Sequence, residues 1–164
     1  MTRISRSIPI AIAEDDADDR LLIQEAFEQC DLGNELMFAE NGEELMALLS
    51  AQPAGDGGAV RRRYPGLILL DLNMPRMDGR ETLRMLKGDP HLCRLPVVIL
   101  TTSQADIDVT SSYGLGVNSF ITKPSTFAKM VDTVSVIHRY WLESVALPTQ
   151  CSGSPYDTDQ VLGV

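Results

Sequence analysis

An α/β fold with a doubly wound parallel sheet is what this sequence predicts, and three observations predict it. Apolar runs at residues 9–13, 35–39, 67–70, 96–100 and 117–122 alternate with segments of helical periodicity, the pattern of repeated strand–helix–strand units. The run Leu67-Ile68-Leu69-Leu70 is apolar at every position rather than at alternate ones, as suits a central strand buried on both faces. Charged residues follow three of the runs directly: Glu14-Asp15-Asp16, Asp71 and Lys123. Those positions are the carboxyl ends of the expected strands, where open α/β sheets place their ligands and chemistry.

The first strand, Pro9-Ile10-Ala11-Ile12-Ala13, leads into an acidic stretch whose side-chain oxygens suit a helix start. That helix runs to about Cys30, with Leu22, Ile23, Ala26, Phe27 and Cys30 on its apolar face. Asp18 and Asp19 read as caps. Glu35-Leu36-Met37-Phe38-Ala39 gives the second strand, and Asn41-Gly42 turns the chain into a helix carrying Leu45, Leu48 and Leu49. Residues 51–64 change to Gly, Ala, Pro and Arg, a surface-loop composition longer than such connections usually are. After the central strand, Arg80 to Lys87 forms a short helix ended by Gly88-Asp89-Pro90. The fourth strand ends in Thr101-Thr102-Ser103. The following helix, residues 105–113, is weak because Ile107 and Val109 are β-branched and Asp, Thr and Ser are frequent. The last helix, residues 125–144, places Phe127, Met130, Val131, Val134, Ile137 and Trp141 on one face.

Bulk properties narrow the function. A chain of 164 residues suits one domain plus a tail, and 44% apolar with 23% charged residues is ordinary for a soluble globular protein. A net charge of −9 argues against a nucleic-acid backbone as partner, since the one dense basic run, Arg61-Arg62-Arg63, is short. Cys30, Cys93 and Cys151 are odd in number and lack metal-like spacing, so they read as reduced thiols in a cytoplasmic protein. No apolar run approaches a membrane span, and no signal-peptide pattern follows the basic N-terminus. His91 and His138 read as surface residues.

The acid pair Glu14-Asp15, the segment Leu69-Leu70-Asp71-Leu72-Asn73-Met74-Pro75-Arg76-Met77-Asp78-Gly79, the run Leu95 to Ser103 and Ser119-Phe120-Ile121-Thr122-Lys123-Pro124 occur in one order. That order resembles the receiver domain of two-component response regulators, of the CheY-like, flavodoxin-like fold. The resemblance covers about residues 8–142 and implies the strand order 2-1-3-4-5. The corresponding division is an N-terminal extension at 1–7, a receiver at 8–147 with an insertion near 51–64, and a flexible tail at 148–164.

Like-charged carboxylates gathered at strand ends raise one another's pKa unless a cation intervenes. All-oxygen ligands favour a hard ion, and few protein carboxylates plus water suit Mg2+. The resemblance implies that Asp15 and Asp71 bind it directly, that the Asn73 backbone carbonyl joins them, and that Glu14 acts through water. The alternative is a structural salt-bridge cluster around Lys123. The resemblance further implies that Asp71 accepts a phosphoryl group from a phosphohistidine of a sensor histidine kinase. Lys123 then supplies a second positive charge, the Thr101 hydroxyl donates to a phosphoryl oxygen, and Phe120 follows Thr101 in a conformational switch. Family members often carry a cis peptide at the position of Lys123-Pro124, and cis is expected here.

Three features depart from the common pattern: Glu14 in place of Asp, Thr102 in place of a smaller residue, and the long loop. With no output domain after the last helix, the expected protein is a single-domain regulator that signals by docking. Arg80-Glu81-Thr82-Leu83, Leu100 to Ser103 and Tyr140 to Pro148 resemble the regulators paired with bacterial phytochromes. Tyr140 and Trp141 suit a homodimer contact through the last helix or terminal core packing. A haloacid-dehalogenase-like phosphatase also uses an Asp after an apolar strand, but needs a second acid where Asn73 stands. A receiver acting as an unphosphorylated scaffold is the other alternative.

Overall fold

The structure, a computed structural model, describes residues 8–50 and 64–148. The expected N-terminal extension, the loop at 51–63 and the tail from 149 lie outside the described residues. Five strands, β1 (Ile10–Ala13), β2 (Leu36–Ala39), β3 (Leu67–Leu70), β4 (Val97–Thr101) and β5 (Ser119–Thr122), form one parallel sheet in the order β2-β1-β3-β4-β5. The helices are α1 (Ala17–Gln29), α2 (Gly42–Ser50), α3 (Gly79–Gly88), α4 (Asp106–Gly114) and α5 (Phe127–His138). This is the doubly wound receiver topology expected from the sequence.

Side-chain alternation splits the sheet into two cores. Ile68 and Leu70 of β3 join Leu45 and Leu49 of α2 and Leu83 and Leu86 of α3 on one face. Leu67 and Leu69 point the other way, to Ile23, Ala26 and Phe27 of α1 and Met130, Val134 and Ile137 of α5. Both faces of β3 are therefore covered, which is why its sequence shows no polar alternation. Each of these buried Leu, Ile, Val, Phe and Met side chains contributes about 1.5–3 kcal/mol.

Register decides what happens at the rim. Ala13 pairs with Leu70 and Thr101 pairs with Thr122, so Glu14, Asp71 and Lys123 each leave the sheet at the same edge, one residue past a paired position. The last helix departs from expectation in three ways. The last helix keeps α-helical bonding only to His138, then widens into a π-helical turn, Arg139–Ser144, with the Val145 N–H donating to the Tyr140 carbonyl at 3.1 Å. Phe127 starts α5 and stays 40% exposed, because Met130, one turn later, is the first α5 residue to reach the core. His138 is buried, not on the surface: it lies one turn after Val134 and one before Leu142, both core residues. Its Nδ1 is 3.4 Å from Glu143 Oε1, and burial lowers its pKa despite that carboxylate. His91 is exposed as expected. Helix α4 is fastened weakly, for its N-cap Ala105 makes no side-chain capping bond, and Ser112 is its one buried side chain among those described.

Candidate functional site

Backbone pairing fixes the acids before their side chains interact. The Glu14 N–H donates to the Ala39 carbonyl at 2.9 Å and the Asp71 N–H to the Ala13 carbonyl at 3.0 Å, so both residues continue the ladders that precede them. Glu14 is 2% exposed and Asp71 5%, while Asp15 projects into solvent. One carboxylate oxygen from each of Glu14, Asp15 and Asp71 falls in a group within 4.8 Å. Two full negative charges at 4.8 Å repel by about 3–4 kcal/mol at an effective dielectric near 20.

Lys123 answers that repulsion. Its backbone N–H donates to the Thr101 carbonyl at 2.7 Å, which extends the β4–β5 ladder and sends the side chain across the rim. There the ammonium, 6% exposed, ion-pairs with Glu14 Oε2, with Asp19 Oδ2 at 2.8 Å and with Asp71 Oδ2 at 3.3 Å. Burial opposes the charge on Lys123, but hydrogen bonds to Asp19 and Glu14 and the charges of Glu14 and Asp71 outweigh it and hold its pKa above the ordinary lysine value. Glu14 responds oppositely. Burial, with the Asp71 charge adding to it, pushes its carboxyl up from 4.5 to about 7 against the pull of Lys123. One ammonium therefore leaves the acids under-neutralised. The donor set is oxygen throughout and anionic, which fits a hard divalent cation that keeps part of its water shell.

Thr101 and Asn73 end or follow their strands near the same rim, Phe120 lies two pairs back along β5 against Ile99, and two expectations need correction. Thr101 is fully buried at the end of β4, and its Oγ1 accepts from the Ser103 N–H at 3.5 Å. Phe120 is partly buried and packs against the core formed with α2 and α3. Asn73 is exposed, with its N–H donating to Asp71 Oδ1 at 3.3 Å. The Lys123–Pro124 bond is trans, not cis. Trans is the favoured isomer of an X–Pro amide by about 0.5–1 kcal/mol, and Lys123 reaches all three acids with it. Asp19 is the second correction. The cap of α1 is Asp16, whose Oδ1 accepts from the N–H groups of Asp18 and Asp19 at 2.8 and 3.0 Å, leaving the Asp19 carboxylate for Lys123. Spacing does not separate Asp19 from Asp16 and Asp18, since all three suit a helix start.

Gly79 allows α3 to begin against the segment that follows β3. Its N–H donates to the Leu72 carbonyl at 2.9 Å, and a Cβ there would lie 2.1 Å from the Asp71 carbonyl oxygen and 2.7 Å from Leu72 Cα. Both are backbone atoms, so Gly79→Ala has to displace either the helix or Asp71. The expected cost is about 1–3 kcal/mol, read as a lowered urea midpoint.

Residues 10–135 match the response regulator receiver domain. This chain belongs to that family. Among its relatives, the chain is 41% identical over 139 residues to response regulator Rcp1 of Synechocystis sp. (strain ATCC 27184 / PCC 6803 / Kazusa), covering 85% of this chain and 92% of Rcp1. Its fold superposes on the phosphorylated cyanobacterial phytochrome response regulator RcpA with a TM-score of 0.76 and 40% identity, over 87% of this chain and 99% of RcpA. The Mn(2+)-bound form of Rcp1 gives a TM-score of 0.73 and 41% identity, over 86% of this chain and 99% of that one.

Proposed function

We infer that Asp71 is the phosphoacceptor of a two-component phosphorelay, and the Lys123 ammonium set between Glu14, Asp19 and Asp71 is the observation that carries the reading. In the reaction an Asp71 carboxylate oxygen attacks the phosphorus of a phosphohistidine. The P–N bond breaks, a P–O bond forms, and the imidazole nitrogen leaves with the electron pair and takes up a proton. Positioning and charge cancellation supply most of the catalysis in such transfers. Lys123, held charged by its neighbours, offsets the phosphoryl oxygens once Asp71 is modified. The Thr101 hydroxyl donates to one of those oxygens, and Phe120, on the strand beside it, follows its movement.

Glu14, Asp15, Asp71 and the Asn73 backbone carbonyl would hold Mg2+, Glu14 through water. The carboxylates' oxygen-only chemistry and close grouping support this assignment, as does the Mn(2+)-bound form of the relative Rcp1. When bound, the ion supplies positive charge to the transferring group. A phytochrome-type histidine kinase is the proposed phosphoryl donor, supported by the likeness to RcpA, a phytochrome response regulator. The receiver spans 8–147 in this reading, and its location is cytoplasmic; no helix among the described residues is long and apolar enough to cross a membrane. Val136 and Tyr140, 64% and 55% exposed, give the last helix an outward apolar strip suited to a second copy, while Trp141 leans on the core and meets Tyr140 edge-on at 5.1 Å.

Incubation with Mg2+ and acetyl phosphate followed by intact-mass measurement tests the assignment. The expected result is one phosphoryl adduct on the unaltered chain and none on Asp71→Asn. A wild-type chain that stays unmodified would favour the scaffold reading, and steady release of phosphate from unrelated phosphoesters would favour a phosphatase.

A further inference from the structure

A polar relay runs from Thr101 to the outside of the sheet. The Ser103 N–H donates to Thr101 Oγ1 at 3.5 Å, and the Ser103 hydroxyl donates to Asp108 Oδ2 in the first turn of α4. The other oxygen, Asp108 Oδ1, accepts from Arg80 Nη2 in the first turn of α3. Both oxygens of one carboxylate are thus engaged, one by the β4–α4 loop and one by the helix that starts behind Asp71.

Among the described residues, little else fastens this corner. Ala105 provides no cap, Ile107 is 76% exposed, and Ser112 is the one buried side chain among those described in α4. The loop's position therefore depends on the Asp108 contacts. We propose that Asp108 is a positioning residue that, through Ser103 and Arg80, latches the β4–α4 loop in the arrangement that keeps Thr101 Oγ1 on the Ser103 N–H. The latch opposes phosphorylation. The Ser103 N–H fixes the place of the Thr101 oxygen, so any swing of that hydroxyl toward Asp71 either breaks this contact or carries the Ser103 backbone with it. Ser103 yields only if its hydroxyl leaves Asp108 or if Asp108 leaves Arg80. The Ser103 hydroxyl and then the Arg80 guanidinium hold the Asp108 carboxyl below the usual carboxylate range, so the latch stays charged throughout the neutral range.

The proposal rests on Asp71 as acceptor, and two readouts separate its failure from a failure of that reading. In the first, Asp108→Ala and Ser103→Ala are phosphorylated by acetyl phosphate and followed by intact mass. Each is expected to react about five-fold faster than wild type or more, the usual scale of a coupling between two states. The double variant should add nothing further, because the two residues act through one contact. Asp108→Glu, which keeps a carboxylate, should return the rate toward wild type. Wild-type rates in both single variants, slower rates, or additive effects would overturn the latch. In the second, amide hydrogen exchange is measured across residues 102–107 of the unphosphorylated protein. Exchange about five-fold faster in Asp108→Ala is expected. Unchanged exchange there would overturn the latch even if no variant, wild type included, took up a phosphoryl group; that latter result alone would sink the phosphoacceptor reading instead.

Discussion

Lys123→Ala is expected to cut the initial rate of Asp71 phosphorylation by about 10²-fold or more and to destabilise the fold by about 3–5 kcal/mol at pH 8. The two losses have one origin. The ammonium is 6% exposed and touches three carboxylates, two of which, Glu14 and Asp71, are more deeply buried still. Removing it leaves those two facing each other with neither solvent nor a counter-charge, the costly way to break a buried ion pair. For a domain of this size the loss corresponds to roughly 6–20 °C in Tm. The deficit should shrink at pH 5, where Glu14, already displaced upward by burial, takes a proton and removes one of the opposed charges. Millimolar Mg2+ should raise the Tm of Lys123→Ala more than that of wild type, because a divalent ion answers the same excess of anions. Thermal melts at the two pH values, with and without Mg2+, measure all of this. Equal Tm losses at pH 5 and pH 8 would show that Lys123 stabilises by packing rather than by charge.

Part of this site is written plainly in the sequence. A strand buried on both faces has to be apolar throughout, so β3 stands out and its terminal Asp71 with it. Register then does the rest, since parallel strands that start level also end level, and Glu14 and Lys123 end theirs beside Asp71. What escapes is whatever depends on side-chain direction after the strand. Four acids in the α1 turn look alike as helix caps, and only the folded chain shows that Asp16 caps while Asp19 turns to Lys123. The Arg80–Asp108–Ser103 relay joins residues up to 28 positions apart on two helices and a loop, and no periodicity marks it. His138 was legible in principle, because Val134, His138 and Leu142 share one helical stripe, but a lone polar residue in such a stripe reads as exposed from its type alone.

Glu14 should couple stability, metal binding and pH in one window. Its carboxyl rises from 4.5 to about 7 on folding, so the folded state holds the proton more tightly than the unfolded one. The stability this contributes is fully present below pH 4.5 and is lost as pH rises toward 7, a total of about 3 kcal/mol. Lys123 acts elsewhere: its raised pKa contributes stability below 10.5 that is lost only above that value. His138 works in the opposite sense near 6.5, since its lowered pKa makes the folded state gain stability as pH rises. The comparison that isolates Glu14 is therefore wild type against Glu14→Gln in urea unfolding from pH 4.5 to 8 without metal. Wild type is expected to lose about 3 kcal/mol relative to the variant across that range. Binding of Mg2+ at pH 6 should draw the proton off, because carboxylates near a divalent ion are favoured in their charged form, and titration calorimetry in buffers of differing ionisation enthalpy should count about one proton released per ion. Glu14→Gln should release close to none. If wild type and variant release the same number, the proton that the ion displaces is not held on Glu14, and the upward shift of its carboxyl by burial is wrong.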